Sequence, residues 1–217
     1  MKKLFIMIAL AAMALSGIAK NNTLKDDDLD SREVFFLGIK GGANYSNIYD
    51  SQGDEFKADG KFGVAAGVFL GIPLGRYFGL QPEALFSQRG FKGTGKVAGL
   101  PFELTRTSNY IDVPLFLALK PASMITVLVG PQFSFLVNQT DNFSNSLSNS
   151  LQTQAFDGEN IRKNTVCGVI GMDISISRFV LGARAGMDLM NNNGDGTSST
   201  PRYKNAWVQA TIGFKLL

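Results

Sequence analysis

Five charged residues are spaced so that their side chains could meet inside one protein: Lys40, Glu83, Asp112, Asp173 and Arg184. Three of them each stand five residues after a phenylalanine, as the pairs Phe35/Lys40, Phe78/Glu83 and Phe179/Arg184 show. Equal offsets in segments of alternating residues indicate similar depth in a sheet. Because isolated buried charges are costly, we expect an ion-pair network. A wetted path for protons or ions is the alternative chemistry for the same residues.

Enzymatic chemistry has few candidates in this chain. The sequence contains no histidine, which removes histidine-dependent triads, histidine-ligated metals and the usual general base near neutral pH. Asp112 and Asp188 could form an acid/base pair, but no lysine is spaced to activate a serine on a plausible helix. Cys167 is the single cysteine, which excludes an intrachain disulfide, and it falls where a small filler suits. We therefore expect neither catalysis nor a cofactor.

Two acidic or amide-rich stretches imitate calcium loops and fail at the decisive positions. Asp26, Asp28 and Asp30 have the alternate spacing, but Leu37 stands where the terminal glutamate belongs. In the stretch 191–196 the corresponding position is Arg202. We interpret residues 20–33 as a polar, acidic tether and 191–196 as turn chemistry, and we expect no metal site.

The first 19 residues predict a secretory signal peptide. Lys2 and Lys3 precede an unbroken apolar run from Leu4 to Leu15, and small residues follow up to Ala19. A membrane-anchoring helix is the alternative, but the run is shorter than the roughly 20 residues that span a bilayer. Cleavage after Ala19 lowers the formal charge from +3 to +1 and leaves no basic cluster that would indicate nucleic-acid binding.

The rest of the chain shows the period-two alternation of β-strands. We predict eight strands, over residues 35–46, 61–72, 77–90, 105–119, 124–136, 164–176, 178–190 and 203–217. Tight turns at 73–76, 120–123 and 177 alternate with long polar loops at 47–60, 92–103, 138–163 and 191–202. This alternation is typical of an outer-membrane barrel with short periplasmic turns and long extracellular loops. An even strand number places both termini in the periplasm.

We expect the apolar face of each strand to meet lipid. A soluble lipocalin-like barrel, apolar inside, is the alternative. The other face is rich in glycine with few charges, which suits a narrow lumen rather than a water-facing exterior. Aromatic residues lie near both ends of the apolar face. Phe35 and Tyr45 are ten residues apart, which along a tilted strand spans a height of about 25 Å, the height of an outer-membrane apolar band. Pro82, Pro114 and Pro131 fall inside strands, so we expect local bulges there.

Four segments together resemble the PorT-like outer-membrane β-barrel family of Gram-negative bacteria. They are GIKGGANYSN (38–47), LQPEALFSQRG (80–90), YIDVPLFL (110–117) and VGPQFSFL (129–136). The resemblance covers residues 34–217 and implies a small outer-membrane barrel. One group in that family takes part in assembling a protein-secretion system, and the resemblance supplies no catalytic or ligand residues.

The sequence therefore predicts an all-β protein: an eight-stranded, antiparallel, up-and-down transmembrane barrel at residues 34–217, in the outer membrane of a Gram-negative bacterium. Its expected partners are outer-membrane lipid and outer-membrane or secretion-complex proteins. We expect a non-enzymatic role, structural or within a secretion or surface assembly, through the extracellular loops and the tether. The loop 138–163 is either a solvated surface loop or a recognition surface. A narrow channel for ions or small solutes is the second functional class.

Overall fold

The computed structural model of the chain describes residues 32–49, 57–97, 100–143, 162–191 and 204–216. Eight β-strands account for most of them: β1 (Phe36–Tyr49), β2 (Lys57–Pro73), β3 (Phe78–Val97), β4 (Leu100–Ala122), β5 (Ile125–Phe143), β6 (Asn164–Ile176), β7 (Phe179–Asp188) and β8 (Lys204–Lys215). The described residues contain no helix that is long and apolar enough to cross a membrane.

Every strand pairs antiparallel with the next, and β8 pairs with β1, so the sheet closes into a barrel. Closure leaves the membrane-spanning part of the sheet without an unpaired edge, which is what a strand structure in lipid requires. The predicted fold class, an eight-stranded antiparallel barrel, is confirmed.

The two faces of the sheet differ as the period-two pattern predicts. In β8, Val208 and Ile212 point outward and are 52% and 63% exposed, whereas Trp207 and Gln209 point inward and are buried. The exterior is thus apolar and the interior holds most of the buried polar side chains. The soluble alternative, with an apolar interior and a polar exterior, does not describe this barrel.

Aromatic side chains form two girdles on the outer face. At the end that carries the long loops, Tyr45 and Phe62 pair across β1 and β2 with ring centroids 4.9 Å apart. At the end that carries the short turns, Phe179 and Phe214 pair across β7 and β8 at 5.3 Å. Such girdles mark the two membrane–water interfaces of an outer-membrane barrel.

The short turns use residues in unusual backbone conformations. Gly75, between β2 and β3, has φ of 151°, a value that side chains with a Cβ rarely adopt. Ser177 has φ of 53° and turns the chain from β6 to β7. These connections fix which side chains of neighbouring strands face each other.

Five strands, β1 to β5, extend further than the alternation predicts at the long-loop end, and β4 also continues to Ala122 at its short-turn end. The predicted loop 92–103 is wrong: β3 continues to Val97 and β4 starts at Leu100, and the two remain paired throughout. Similarly, β2 starts at Lys57 and β5 runs to Phe143. Beyond the membrane neither face of a strand has to be apolar, so the ladder continues there without apolar alternation. Residues 50–56, 144–161 and 192–203 lie outside the described part of the chain.

The prolines interrupt the ladder without shifting it, so the predicted bulges are wrong. Pairing between β3 and β4 pauses at Pro114 and resumes in the same register, and pairing between β4 and β5 does the same at Pro131. A proline has no N–H to donate, so each proline removes hydrogen bonds to the preceding strand. It does not insert an extra residue into the ladder, as a bulge would. The register shifts lie elsewhere, for instance between Gly60 and Ala65 of β2.

Candidate functional site

Four strands contribute to a charged cluster inside the barrel, here called the lower charge layer: Lys40, Gln81, Glu83, Asp173 and Arg184. Nζ of Lys40 lies 2.6 Å from Oε1 of Glu83, and Nη1 of Arg184 lies 2.7 Å from Oδ1 of Asp173. Nη2 of Arg184 also reaches Oε1 of Glu83 at 3.3 Å. Gln81 donates to Glu83 at 3.0 Å and to Asp173 at 2.9 Å.

This layer joins strands on opposite sides of the lumen. Lys40 stands on β1, Glu83 on β3, Asp173 on β6 and Arg184 on β7. Two cations face two carboxylates, so the layer is neutral as a whole. Lys40 also lies 4.8 Å from the ring of Phe69, and the Arg184 guanidinium lies 5.4 Å from the ring of Phe116. Each of the two buried cations thus has a carboxylate and an aromatic face beside it.

A second cluster, here called the upper charge layer, lies nearer the long-loop end. It contains Arg89, Asp112, Ser134, Cys167, Asp188 and Asn205. Arg89 forms a buried ion pair with Asp112. The Cys167 thiol donates to Asp188 at 3.1 Å, and the side chain of Asn205 donates to the same carboxylate at 2.6 Å. Ser134 lies within 3.5 Å of the Cys167 sulfur and connects the two halves.

Arg89 is the centre of the upper layer. Its guanidinium lies 5.0 Å from the ring of Tyr110 and 4.8 Å from that of Trp207. Arginine suits this position because its planar, weakly hydrated cation can pair with a carboxylate and stack on aromatic rings at once.

The five charged residues singled out from the sequence fall into two groups. Lys40, Glu83, Asp173 and Arg184 lie together in the lower layer. Asp112 belongs to the upper layer and pairs with Arg89, so the single cluster that we expected is two clusters. Arg89 was not singled out from the sequence, although it stands six residues after Glu83 and therefore on the same face of β3.

Side chains close the lumen at both layers. Arg89 and Asp112 are each 1% exposed, and Glu83 and Arg184 are each 4% exposed. Apolar residues fill the space between the charges, among them Phe69, Phe116, Leu128 and Trp207, and all are buried. An eight-stranded barrel is just wide enough for its interior to be filled in this way.

Polar contacts continue at the two ends of the barrel. At the long-loop end, Arg106 binds Asp141 through two parallel hydrogen bonds of 2.8 and 2.7 Å. At the short-turn end, Lys120 of β4 donates to the backbone carbonyl of Arg32 at 2.6 Å. The Arg32 guanidinium lies 5.1 Å from the ring of Tyr77. The chain just before β1 is thereby held against β4 and the β2–β3 turn.

The other candidate chemistry has little support among the described residues. There, no group of three or more cysteine, aspartate or glutamate side chains is arranged to hold a metal ion. The tether residues Asp26, Asp28 and Asp30 and most of the stretch 191–196 lie outside the described part. Asp112 and Asp188 both lie in the upper layer, where each is 1% exposed, so a substrate would not reach them.

The chain belongs to the family described as outer membrane protein beta-barrel domain, whose model matches residues 30–193. It is therefore an outer-membrane β-barrel protein. No curated protein sequence matches this chain.

Several solved outer-membrane barrels are similar in structure. OprG from Pseudomonas aeruginosa has a TM-score of 0.49 at 13% identity, covering 87% of this chain and 99% of that one. Ail, the attachment invasion locus protein of Yersinia pestis, has a TM-score of 0.45 at 10% identity, covering 84% and 99%. Neisserial surface protein A has a TM-score of 0.44 at 12% identity, covering 83% and 97%.

Proposed function

We propose that this protein is a non-enzymatic, non-conducting outer-membrane barrel that acts through its two ends, as a structural component or as part of a secretion or surface assembly. The extracellular end would bind a partner at the cell surface. The periplasmic end would present the tether of residues 20–33. The barrel between them would serve as a stable anchor.

The observation that carries this proposal is the filled lumen. A channel needs a continuous wetted path, whereas the charged side chains of both layers are buried and directed at each other. A catalytic site needs an accessible reacting group, and the buried carboxylates offer none. The residues at the two ends of the barrel remain accessible to another molecule.

The extracellular end supports partner binding by its construction. Phe135 pairs with Asn164, the first residue of β6, and β5 continues from there to Phe143 while paired with β4. Together with β3 and β4 it forms a paired sheet beyond the girdle, and residues 144–161, which lie outside the described part of the chain, follow directly after β5 in the sequence. The resemblance to PorT-like barrels adds a secretion assembly as one setting for such a partner.

Co-purification after mild chemical cross-linking of intact outer membranes tests the proposal. The full chain is compared with a variant that lacks residues 144–153, which follow β5, and a variant that lacks residues 192–200 is the matched control. We expect one stoichiometric partner with the full chain and the control, and its loss from the 144–153 deletion while the thermal unfolding of the barrel is unchanged. Recovery of the barrel alone from all three membranes would contradict the proposal.

The second candidate is a narrow ion or proton path. It rests on the two charge layers, which follow each other along the barrel axis. If water entered the lumen, a proton could pass from the carboxylates of one layer to those of the other. The measurement that separates it from the anchor is electrical conductance across a bilayer.

We also infer that residues 1–19 are removed during export. The charged start, the apolar run and the small residues before Lys20 support this. The N-terminal sequence of the protein isolated from outer membranes should begin at Lys20. An N-terminus at Met1 in the membrane-inserted protein would contradict the inference.

A further inference from the structure

Lys61 lies on the outer surface of the barrel, at the extracellular border of the apolar band. Its Nζ donates to the Oγ1 of Thr107 at 2.6 Å, and Thr107 belongs to the outward-facing row of β4. To reach Thr107, the side chain of Lys61 passes over β3 at Gly90. A Cβ added to Gly90 would lie only 3.3 Å from Cδ of Lys61, which shows how closely the lysine passes. The register shift between Gly60 and Ala65 turns Lys61 outward, beside the next residue, Phe62, which is 73% exposed.

A second lysine stands close by. Lys92 is exposed on the outward row of β3, one row beyond Gly90, and near enough for its charge to act on Lys61. Lys61 directly precedes the girdle residue Phe62, and Lys92 lies two residues beyond Gly90 on β3. Both cations are therefore at the level where lipid headgroups begin.

Neutral hydrogen-bonding side chains continue the same surface in cross-strand rows. We call this surface the outer ridge face; besides Lys61 and Lys92, its members are Gln88, Thr105, Thr107, Asn109, Asn138, Thr140 and Asn142. Register places Gln88, Asn109 and Asn138 in one row, and Thr107 with Thr140 in the next. Within the first row Gln88 donates to Asn109 at 3.1 Å.

Among the side chains that the structure describes, two acids also belong to this face. Asp59 is the cross-strand neighbour of Lys92, and Glu103 pairs with Thr94 one row further from the membrane. Both lie beyond Lys61 in the direction away from the girdle. Lys61 is thus the described charge of this face nearest to the hydrocarbon boundary, where the phosphates of membrane lipids are concentrated, and Lys92 follows in the same row as Asp59.

We propose that the outer ridge face binds the phosphorylated sugar headgroup of an outer-leaflet glycolipid. Lys61 and Lys92 contact its phosphate, and the rows of threonine, asparagine and glutamine contact its sugar hydroxyls. Lysine binds phosphate as a compact cation, and hydroxyl and amide side chains both donate and accept, as sugar hydroxyls do. The surface is continuous with the lipid-facing exterior, so a lipid already in the membrane reaches it without leaving the bilayer. The proposal rests on the outer-membrane placement of the barrel and is independent of any protein partner.

Binding of purified lipid A that carries two phosphates tests the proposal, with the full-length mature barrel in detergent and native mass spectrometry as the readout. Dephosphorylated lipid A and phosphatidylglycerol are the comparison lipids. The variants are Lys61→Gln, Lys92→Gln and the double variant. The charge-matched control is Lys163→Gln, which changes an exposed lysine one residue before β6. Thr107→Val removes the hydroxyl that positions Lys61 and leaves all charges in place.

We expect each lysine substitution to weaken binding of the two-phosphate lipid about fivefold, the usual contribution of one basic residue near an anionic surface. The control should bind as the wild type does, and dephosphorylated lipid A should bind equally to the wild type and all the lysine variants. Equal binding by the wild type and the double variant would overturn the proposal. An equal loss for phosphatidylglycerol would overturn it too, because the lysines would then attract any anionic lipid. Lys92→Gln alters an exposed side chain, so it carries the test even if Lys61→Gln impairs folding.

Discussion

Replacing Glu83 with glutamine tests whether the lower charge layer holds the barrel together. Oε1 of Glu83 accepts hydrogen bonds from Lys40, Gln81 and Arg184 at 2.6, 3.0 and 3.3 Å. Glutamine preserves the volume and one acceptor oxygen but removes the negative charge. Arg184 keeps its two bonds to Asp173, whereas Lys40 loses its nearest counter-charge. The layer then carries one uncompensated positive charge.

The expected cost follows from the burial of both partners. Lys40 and Glu83 have side chains that are 4% and 1% exposed, so water cannot replace the missing carboxylate. Removing one partner of a buried ion pair destabilises a protein by about 3–5 kcal/mol. Lys40→Met in the Glu83→Gln background removes the orphaned charge. We therefore expect the double variant to be more stable than the sum of the single variants by about 1–3 kcal/mol.

Urea unfolding in lipid vesicles provides the assay, with fluorescence of Trp207, the single tryptophan, as the signal. Asp59→Asn is the control, because it neutralises an exposed carboxylate of β2 and should change the free energy of unfolding by less than about 0.5 kcal/mol. A Glu83→Gln variant as stable as this control would refute the structural role of the layer. Unchanged stability together with altered ion conductance would favour the conducting alternative.

Three further substitutions or reactions probe the interior. Arg89→Met leaves the buried carboxylate of Asp112 unpaired and should lower the free energy of unfolding in urea by about 3–5 kcal/mol. A decrease below about 1 kcal/mol would show that the upper layer does not depend on its ion pair. Gly186→Ala places a Cβ 2.4 Å from the Trp207 ring, so we expect the free energy of unfolding to fall by about 1–3 kcal/mol. Gly41→Ala is the control and should be close to neutral, because the nearest atom to its added Cβ is 4.0 Å away. Equal effects of the two substitutions would contradict this packing around Trp207. Cys167 is 0% exposed and should resist maleimide in the folded barrel and react in urea, a difference that mass spectrometry of the labelled protein detects; rapid labelling of the folded form would mean that water enters the lumen.

The sequence predicted the strands and their faces because both depend on local alternation. Each strand buries one face in the lumen and exposes the other, so polar and apolar residues alternate with a period of two. This alternation is visible in residues 206–216 without any knowledge of which strands pair. The same reasoning assigned Lys40, Glu83 and Arg184 to the lumen. Equal spacing from the girdle phenylalanines gave their approximate depth.

What the sequence did not predict depends on register and on residues beyond the lipid. Asp112 pairs with Arg89 rather than with the lower layer, and only the alignment of β3 with β4 decides this. The continuation of β3 and β4 through 92–103 carries no apolar pattern, since both faces there are outside the hydrocarbon. Counting back from the outward-facing Phe62 places Lys61 on the inner face, whereas the register shift between Gly60 and Ala65 turns it outward.

Conductance of the purified protein in a planar bilayer tests the central claim most directly, namely that the barrel is a filled anchor and not a channel. The wild type, the Glu83→Gln variant and the Lys40→Met/Glu83→Gln double variant are measured side by side in the same lipid. We predict no discrete current steps from the wild type, because buried side chains close the lumen at both charge layers. Reproducible single-channel steps from the wild type, with ion selectivity that changes in the Glu83→Gln variant, would contradict the account.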